Sequence, residues 1–182
     1  MKNAFVFLAD GFEEVEAITP IDYLRRAGVS VTIVGVSGRS ALSARKIAVE
    51  CDRTLGEVLS QALPDLAVLP GGGKGSANLA ASAELKALVG KMLAEGRLVG
   101  AICAAPAVAL GSWGFLAGRK YTCYPGEGTG LAVKPLAGRV VVDGNLITAR
   151  AAGVAEEFSL ALVRALVGAD EAAKVAQAIL AR

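Results

Sequence analysis

The feature that most constrains this chain is an alternation: short apolar runs rich in Val, Ile, Leu and Phe, each followed by a stretch whose apolar residues recur at helical spacing. Asn3–Leu8, Ser30–Gly35, Leu66–Leu69 and Leu98–Ile102 are the runs, and strands that read as continuous apolar segments are those covered on both faces. Helical patterns lie between them at 18–27, stopped by Gly28, at 54–63 and at 83–95, and two more close the chain at 154–167 and 171–181, broken at Gly168. Strands that alternate with helices pair in parallel through crossovers, which predicts a doubly wound, mostly parallel α/β sheet with helices on both faces. Two segments fit this scheme less directly. Residues 39–49 read as an added hairpin, and 140–149 as two short runs around Asp143-Gly144-Asn145, both peripheral to the sheet.

At 182 residues, with 54% hydrophobic residues and few aromatics, the chain reads as one domain over 1–182 with Ala-rich helices on a buried sheet. Its net charge of +2 comes from scattered pairs such as Arg25-Arg26 and Arg119-Lys120, so no nucleic-acid partner is expected. Residues 98–118 carry no charge and are long enough to span a bilayer, but Pro106 and four glycines interrupt them, so no membrane span is expected. The apolar run at 4–9 is too short for a signal-peptide core, and a cytoplasmic location follows. Three cysteines, an odd number without CxxC spacing, predict reduced thiols, with neither a disulfide framework nor a zinc ribbon. Histidine is absent, which excludes Ser-His-Asp and Cys-His triads within this chain and weakens any transition-metal site; no cofactor is expected.

Ligands of open α/β sheets bind beyond the carboxyl ends of the strands, and chemistry-bearing residues follow three of the runs. Gly100-Ala-Ile-Cys-Ala-Ala-Pro106 sets Cys103 between a strand and a helix read over 104–110, as a nucleophile elbow sets its serine. The helix N-terminus there would lower the thiol pKa, yet the segment fits an inert packed cysteine equally. Pro70-Gly-Gly-Gly73, with Gly75 and Ser76, reads as a flexible loop offering amides to an oxyanion or a phosphate, or as a plain strand-to-helix turn; it lacks the Walker and GxGxxG patterns. Glu13, Glu14 and Glu16 open the first helix, where acidic residues suit the macrodipole. Glu16, three residues after Glu13, can point inward, and a buried carboxyl beside a thiol would stay protonated and donate to sulfur.

Taken in order, Leu8-Ala-Asp-Gly-Phe-Glu-Glu-Val-Glu16, Leu69-Pro-Gly-Gly72 and Ala101-Ile-Cys-Ala-Ala-Pro106 resemble the ThiJ/PfpI superfamily, in the branch of the parkinsonism-associated protein. The resemblance extends through Arg25-Arg-Ala-Gly28, Ser43-Ala-Arg45, Leu146-Ile-Thr-Ala-Arg150 and Glu157-Phe158. It implies a flavodoxin-like fold, a homodimer, Cys103 as reactive cysteine, Glu16 as its protonated partner, and Gly71 and Gly72 as catalytic backbone donors. It also implies a cofactor-independent enzyme acting on small carbonyl compounds, α-oxoaldehydes such as methylglyoxal or their adducts, in the manner of a glyoxalase III or deglycase. The competing implication is an oxidation-sensing, chaperone-like stress protein that uses the same cysteine without turnover.

Two departures stand out. The family's histidine before a proline is Tyr124 before Pro125, here a candidate substrate contact, and its Gly-Pro-Gly-Thr appears as Ala151-Ala-Gly-Val154. PfpI-type peptidases carry a histidine directly after the cysteine; here that position, also assigned to substrate binding, is Ala104, which disfavours peptidase activity. Cys51 and Cys123 read as structural thiols.

Overall fold

The computed structural model describes residues 1–181 and is built on a seven-stranded sheet. Its strands are β1 (Asn3–Leu8), β2 (Ser30–Gly35), β5 (Arg53–Thr54), β6 (Leu66–Leu69), β7 (Leu98–Ile102), β8 (Val140–Asp143) and β9 (Leu146–Ala149), in the order β5-β2-β1-β6-β7-β9-β8. Every neighbouring pair is parallel except β8 and β9. A separate antiparallel hairpin, β3 (Ser40–Leu42) and β4 (Ala48–Glu50), lies outside the sheet, as expected for residues 39–49.

Period-two geometry divides each central strand between two cores. Ala4, Val6 and Leu8 of β1 face one layer, formed by helices α1 (Glu14–Arg26), α5 (Ala155–Val167) and α6 (Ala169–Ala178), where Leu24, Phe158 and Leu162 are fully buried. Phe5 and Phe7 face the other, formed by α2 (Leu55–Val58), α3 (Gly73–Ala80) and α4 (Ala83–Ala94), with Leu79, Leu85, Val89 and Met92. This is the doubly wound, flavodoxin-like arrangement, and it brings the ends of β1, β6 and β7 together at one edge.

Several expectations are corrected. The second run of 140–149 is not peripheral: β9 pairs with β7 inside the sheet and all four of its residues are buried, leaving β8 as the edge. The helix at 54–63 shrinks to a single turn, α2, because Leu59 beyond it is exposed and finds no strand to cover. Of the two readings of Pro70–Gly73, the structure has the strand-to-helix turn: helix α3 begins at Gly73 and takes in Gly75 and Ser76. The first helix opens at Glu14, as the acidic run Glu13–Glu16 indicates, so it begins before the helical spacing read from 18; the last runs from Ala169 to Ala178 instead of over 171–181. After Cys103 the chain turns and enters a π-helix, Pro106–Gly111, in place of an α-helix over 104–110. Residues 98–118 thus begin with β7 and this π-helix, and no helix among the described residues is long and apolar enough to cross a membrane.

Candidate active site

β7 ends at Ile102, and the next residue, Cys103, adopts φ 64° in the left-handed region. For a residue with a Cβ this conformation costs roughly 1–2 kcal/mol, so the surroundings must over-determine it. They do so through the backbone: the Cys103 N–H donates to Ala149 O at 2.9 Å, and its carbonyl accepts from the Tyr124 N–H at 2.7 Å. The thiol is left partly exposed at the strand end.

Across from it, the turn after β6 delivers Gly71 and Gly72. Gly72 has φ 87°, and a Cβ there would run into Gly11 O. A Cβ on Gly71 would strike both Glu16 Oε2 and Cys103 Cβ, and would come 2.9 Å from Ile102 O. Only glycine lets three segments meet here.

The third segment is the start of α1. Glu13 caps the helix, its carboxylate accepting from the Val15 N–H, while its own N–H donates to Gly71 O at 3.0 Å. One turn on, Glu16 is fully buried. Its Oε2 accepts the Gly71 N–H at 2.9 Å, whereas Oε1 is buried without a hydrogen-bond partner in a carboxyl set beside the Cys103 thiol. Burial raises the Glu16 pKa from 4.5 to about 7; the neighbouring Cys103 thiol and the Gly71 N–H pull it down, and the Glu13 charge adds to the rise.

The expected lowering of the thiol pKa is not what the surroundings produce. Burial and then the Glu16 charge push Cys103 up to about 12, while the amides of Gly72 and Ala104 favour the thiolate. Helix-end stabilisation is outweighed because the sulfur is desolvated beside a carboxyl. Above about pH 7 the pair therefore holds one proton between two acids, and a thiolate forms when Glu16 carries it.

Glu13, Glu16, Gly72, Cys103, Tyr124, Ala151, Ala152 and Gly153 line a cavity of about 210 Å³. Tyr124 stands nearly half exposed on its lining. Ala104 is buried and offers its amide to the sulfur. Gly71 differs from expectation: its N–H is engaged by Glu16, so it holds the carboxyl in place instead of facing an oxyanion. Glu13 and the 151–153 wall were not singled out as site residues. Glu13 was absorbed into a helix-start pattern, although its spacing from Glu16 carried the signal. Four larger cavities, of about 460, 450, 380 and 230 Å³, lie elsewhere, and no cysteine lines any of them. Cys51 and Cys123 are buried, and burial raises both thiol pKa values. Among the described residues no group of three Cys, Asp or Glu stands ready to hold a metal ion.

Residues 2–165 match the model of the DJ-1/PfpI family. Protein DJ-1 homolog B of Arabidopsis thaliana is 37% identical over 184 residues; the alignment covers 100% of this chain but 42% of that protein, so the chain spans less than half its length. A glutathione-independent glyoxalase of Caenorhabditis elegans is 32% identical over 174 residues, covering 93% of this chain and 91% of that one. Among solved structures, a cysteine-to-alanine mutant of a DJ-1 superfamily protein from Salmonella typhimurium superposes with a TM-score of 0.95 at 39% identity, covering 99% of this chain and 98% of that chain.

Proposed function

Because this chain belongs to the DJ-1/PfpI family, we propose that it is a cofactor-independent enzyme in which Cys103 attacks small α-oxoaldehydes such as methylglyoxal or their adducts. The observation that carries this reading is the fully buried Glu16 carboxyl, held by Gly71 against a cysteine kept at φ 64° beside a small cavity. A glyoxalase name on a relative at 32% identity supports it.

The steps follow from these groups. Cys103 sulfur bonds to the aldehyde carbon, and the resulting oxyanion takes a proton to give a hemithioacetal; the amides of Gly72 and Ala104 stabilise the developing charge. Glu16 carboxylate then removes the hydrogen from that carbon as a proton, and the electron pair passes to the neighbouring carbonyl to form an enediol. The proton returns to the second carbon, leaving a thioester. Water adds to it, the C–S bond breaks, sulfur recovers a proton and lactate leaves. The first carbon is oxidised and the second reduced, so no external oxidant or reductant enters. Gly71 keeps Glu16 aimed, and Tyr124 closes one side.

The test follows methylglyoxal loss and lactate formation in the native chain, Cys103→Ala and Glu16→Gln. Turnover falling by at least about a hundredfold in both is expected for loss of the nucleophile and of the proton carrier; unchanged turnover in Cys103→Ala removes the enzyme. A second reading, redox sensing without turnover, has the partial exposure of Cys103 in its favour, since a sulfinate there would receive the same amides. Mass spectrometry after mild peroxide overturns it if oxygen is not gained preferentially at residue 103.

The reading extends to a single domain over 1–182 acting as a homodimer. Exposed Val15 and Ile18 on α1 and Leu42 and Ile47 on the hairpin offer an apolar face, and sedimentation of a monomer at micromolar concentration would refute the dimer. Three unpaired thiols agree with a reducing compartment such as the cytoplasm.

A further inference from the structure

We infer that Glu13 is the charge filter of the Cys103 cavity, admitting uncharged carbonyl compounds and turning away those that carry a carboxylate or a phosphate. The inference rests on Cys103 being the reacting group proposed above.

The charges around the cavity are one-sided. Two carboxyl groups, Glu13 and Glu16, stand on its lining, and no lysine or arginine does. Of the arginines that flank the 151–153 wall, Arg139 and Arg150 donate to protein acceptors, one of them the carbonyl of Gly153 in the wall itself. Arg139 clasps Glu157 through Nε at 2.9 and 3.1 Å, and its Nη2 reaches Gly153 O at 3.3 Å. Arg150 Nη1 donates to Ala137 O at 3.4 Å. The amides of Gly72 and Ala104 serve the sulfur and the oxygen that becomes negative next to it. A second negative group on the substrate would find no donor of this kind and would face Glu13.

Glu13 is also held in place. Its carboxylate accepts the Val15 N–H at 3.3 Å as the helix cap, and its N–H is tied to Gly71 O. It is half-buried, unlike Glu14 beside it, which turns away to accept from Ser43 Oγ at 2.6 Å and from the Arg45 N–H at 2.6 Å. A like charge admitted within roughly 6 Å of such a carboxylate is disfavoured about tenfold once partial exposure and salt are allowed for.

The experiment alkylates Cys103 with iodoacetamide and with iodoacetate, which have nearly the same size and differ in charge, and follows the modification at residue 103 by mass spectrometry. Free glutathione supplies the reference ratio. In the native chain the amide-to-acetate rate ratio should exceed the reference by about tenfold, and Glu13→Gln should bring it to within about threefold. A native ratio equal to the reference, or one that Glu13→Gln leaves unchanged, overturns the inference. If Glu13→Gln fails to fold, Glu13→Ser, which keeps a capping oxygen, carries the same expectation. Methylglyoxal consumption is measured alongside. Turnover with a flat alkylation ratio removes the charge filter alone, whereas a tenfold ratio without turnover leaves the filter standing and removes the enzymatic reading.

Discussion

The turns that follow β6 and β7 lie side by side, in register at Leu69 and Ala101, and both pass through the left-handed region of the backbone. One does so on Gly72, where no Cβ is strained. The other does so on Cys103, where the strain falls on the residue that bears the thiol. The glycine turn makes room and the cysteine turn fills it: a Cβ on Gly71 would collide with Cys103 and Glu16 together. Backbone freedom is thus placed one strand away from the group that needs to be held still.

The largest test of this contrast is Gly71→Ala. Its methyl group would have to displace Ile102 O, a backbone atom, as well as Glu16, so a loss of more than about 3 kcal/mol in urea unfolding is expected. A variant within about 1 kcal/mol of the native chain would mean that the two turns are not interlocked.

Glu16→Gln comes next, through pH. The folded pKa of Glu16 is about 7 against 4.5 as a model carboxyl, so the protonated form is the one the fold prefers. Its contribution is fully present below about pH 4.5 and is lost as pH rises through about 7. The stability of the variant relative to the native chain should therefore grow by up to about 3 kcal/mol across that interval and then level. A difference flat in pH would show that Glu16 is not buried against the thiol. In the same window, iodoacetamide alkylation of native Cys103 should rise with an apparent pKa near 7 and then plateau, because the pair passes there from two protons to one, and the one-proton state includes the form with the proton on Glu16 and a thiolate on Cys103.

The smallest effect compares two replacements of the cysteine itself. Cys103→Gly should be more stable than Cys103→Ala by about 1 kcal/mol, since only alanine retains the strain at positive φ. Equal stabilities would place the strain elsewhere.

Much of this geometry is legible in the chain. Four of the central strands announce themselves as apolar runs, and the pairing of Cys103 with Glu16 is legible in the motifs that carry them. β9 was misjudged because Asp143-Gly144-Asn145 advertises a hairpin and says nothing about which arm enters the sheet. α3 is only one of two readings of its segment because Gly73 and Gly75 argue against a helix. Its reason is tertiary: a Cβ on Gly75 would come within 2.7 Å of the Phe12 backbone, so the helix keeps glycine in order to pack. The thiol pKa was misjudged for a related reason. A helix end can be read from sequence, but how much water the fold removes from sulfur cannot.

The distribution of cysteines sets how the reactive one could recover from damage. Cys103 packs against the core of α1 and α5, whereas Cys123 is buried in the opposite core. Cys51 lies by Gly35, at the end of β2, and β1 and β6 stand between β2 and β7; at about 4.8 Å per strand that is ~14 Å, twice the reach of a disulfide. Cys51 is therefore out of reach of a singly oxidised Cys103, and Cys123 would have to leave its own core to meet it. Restoration is bimolecular, and its rate belongs to the concentration of thiols in the surroundings instead of to the protein.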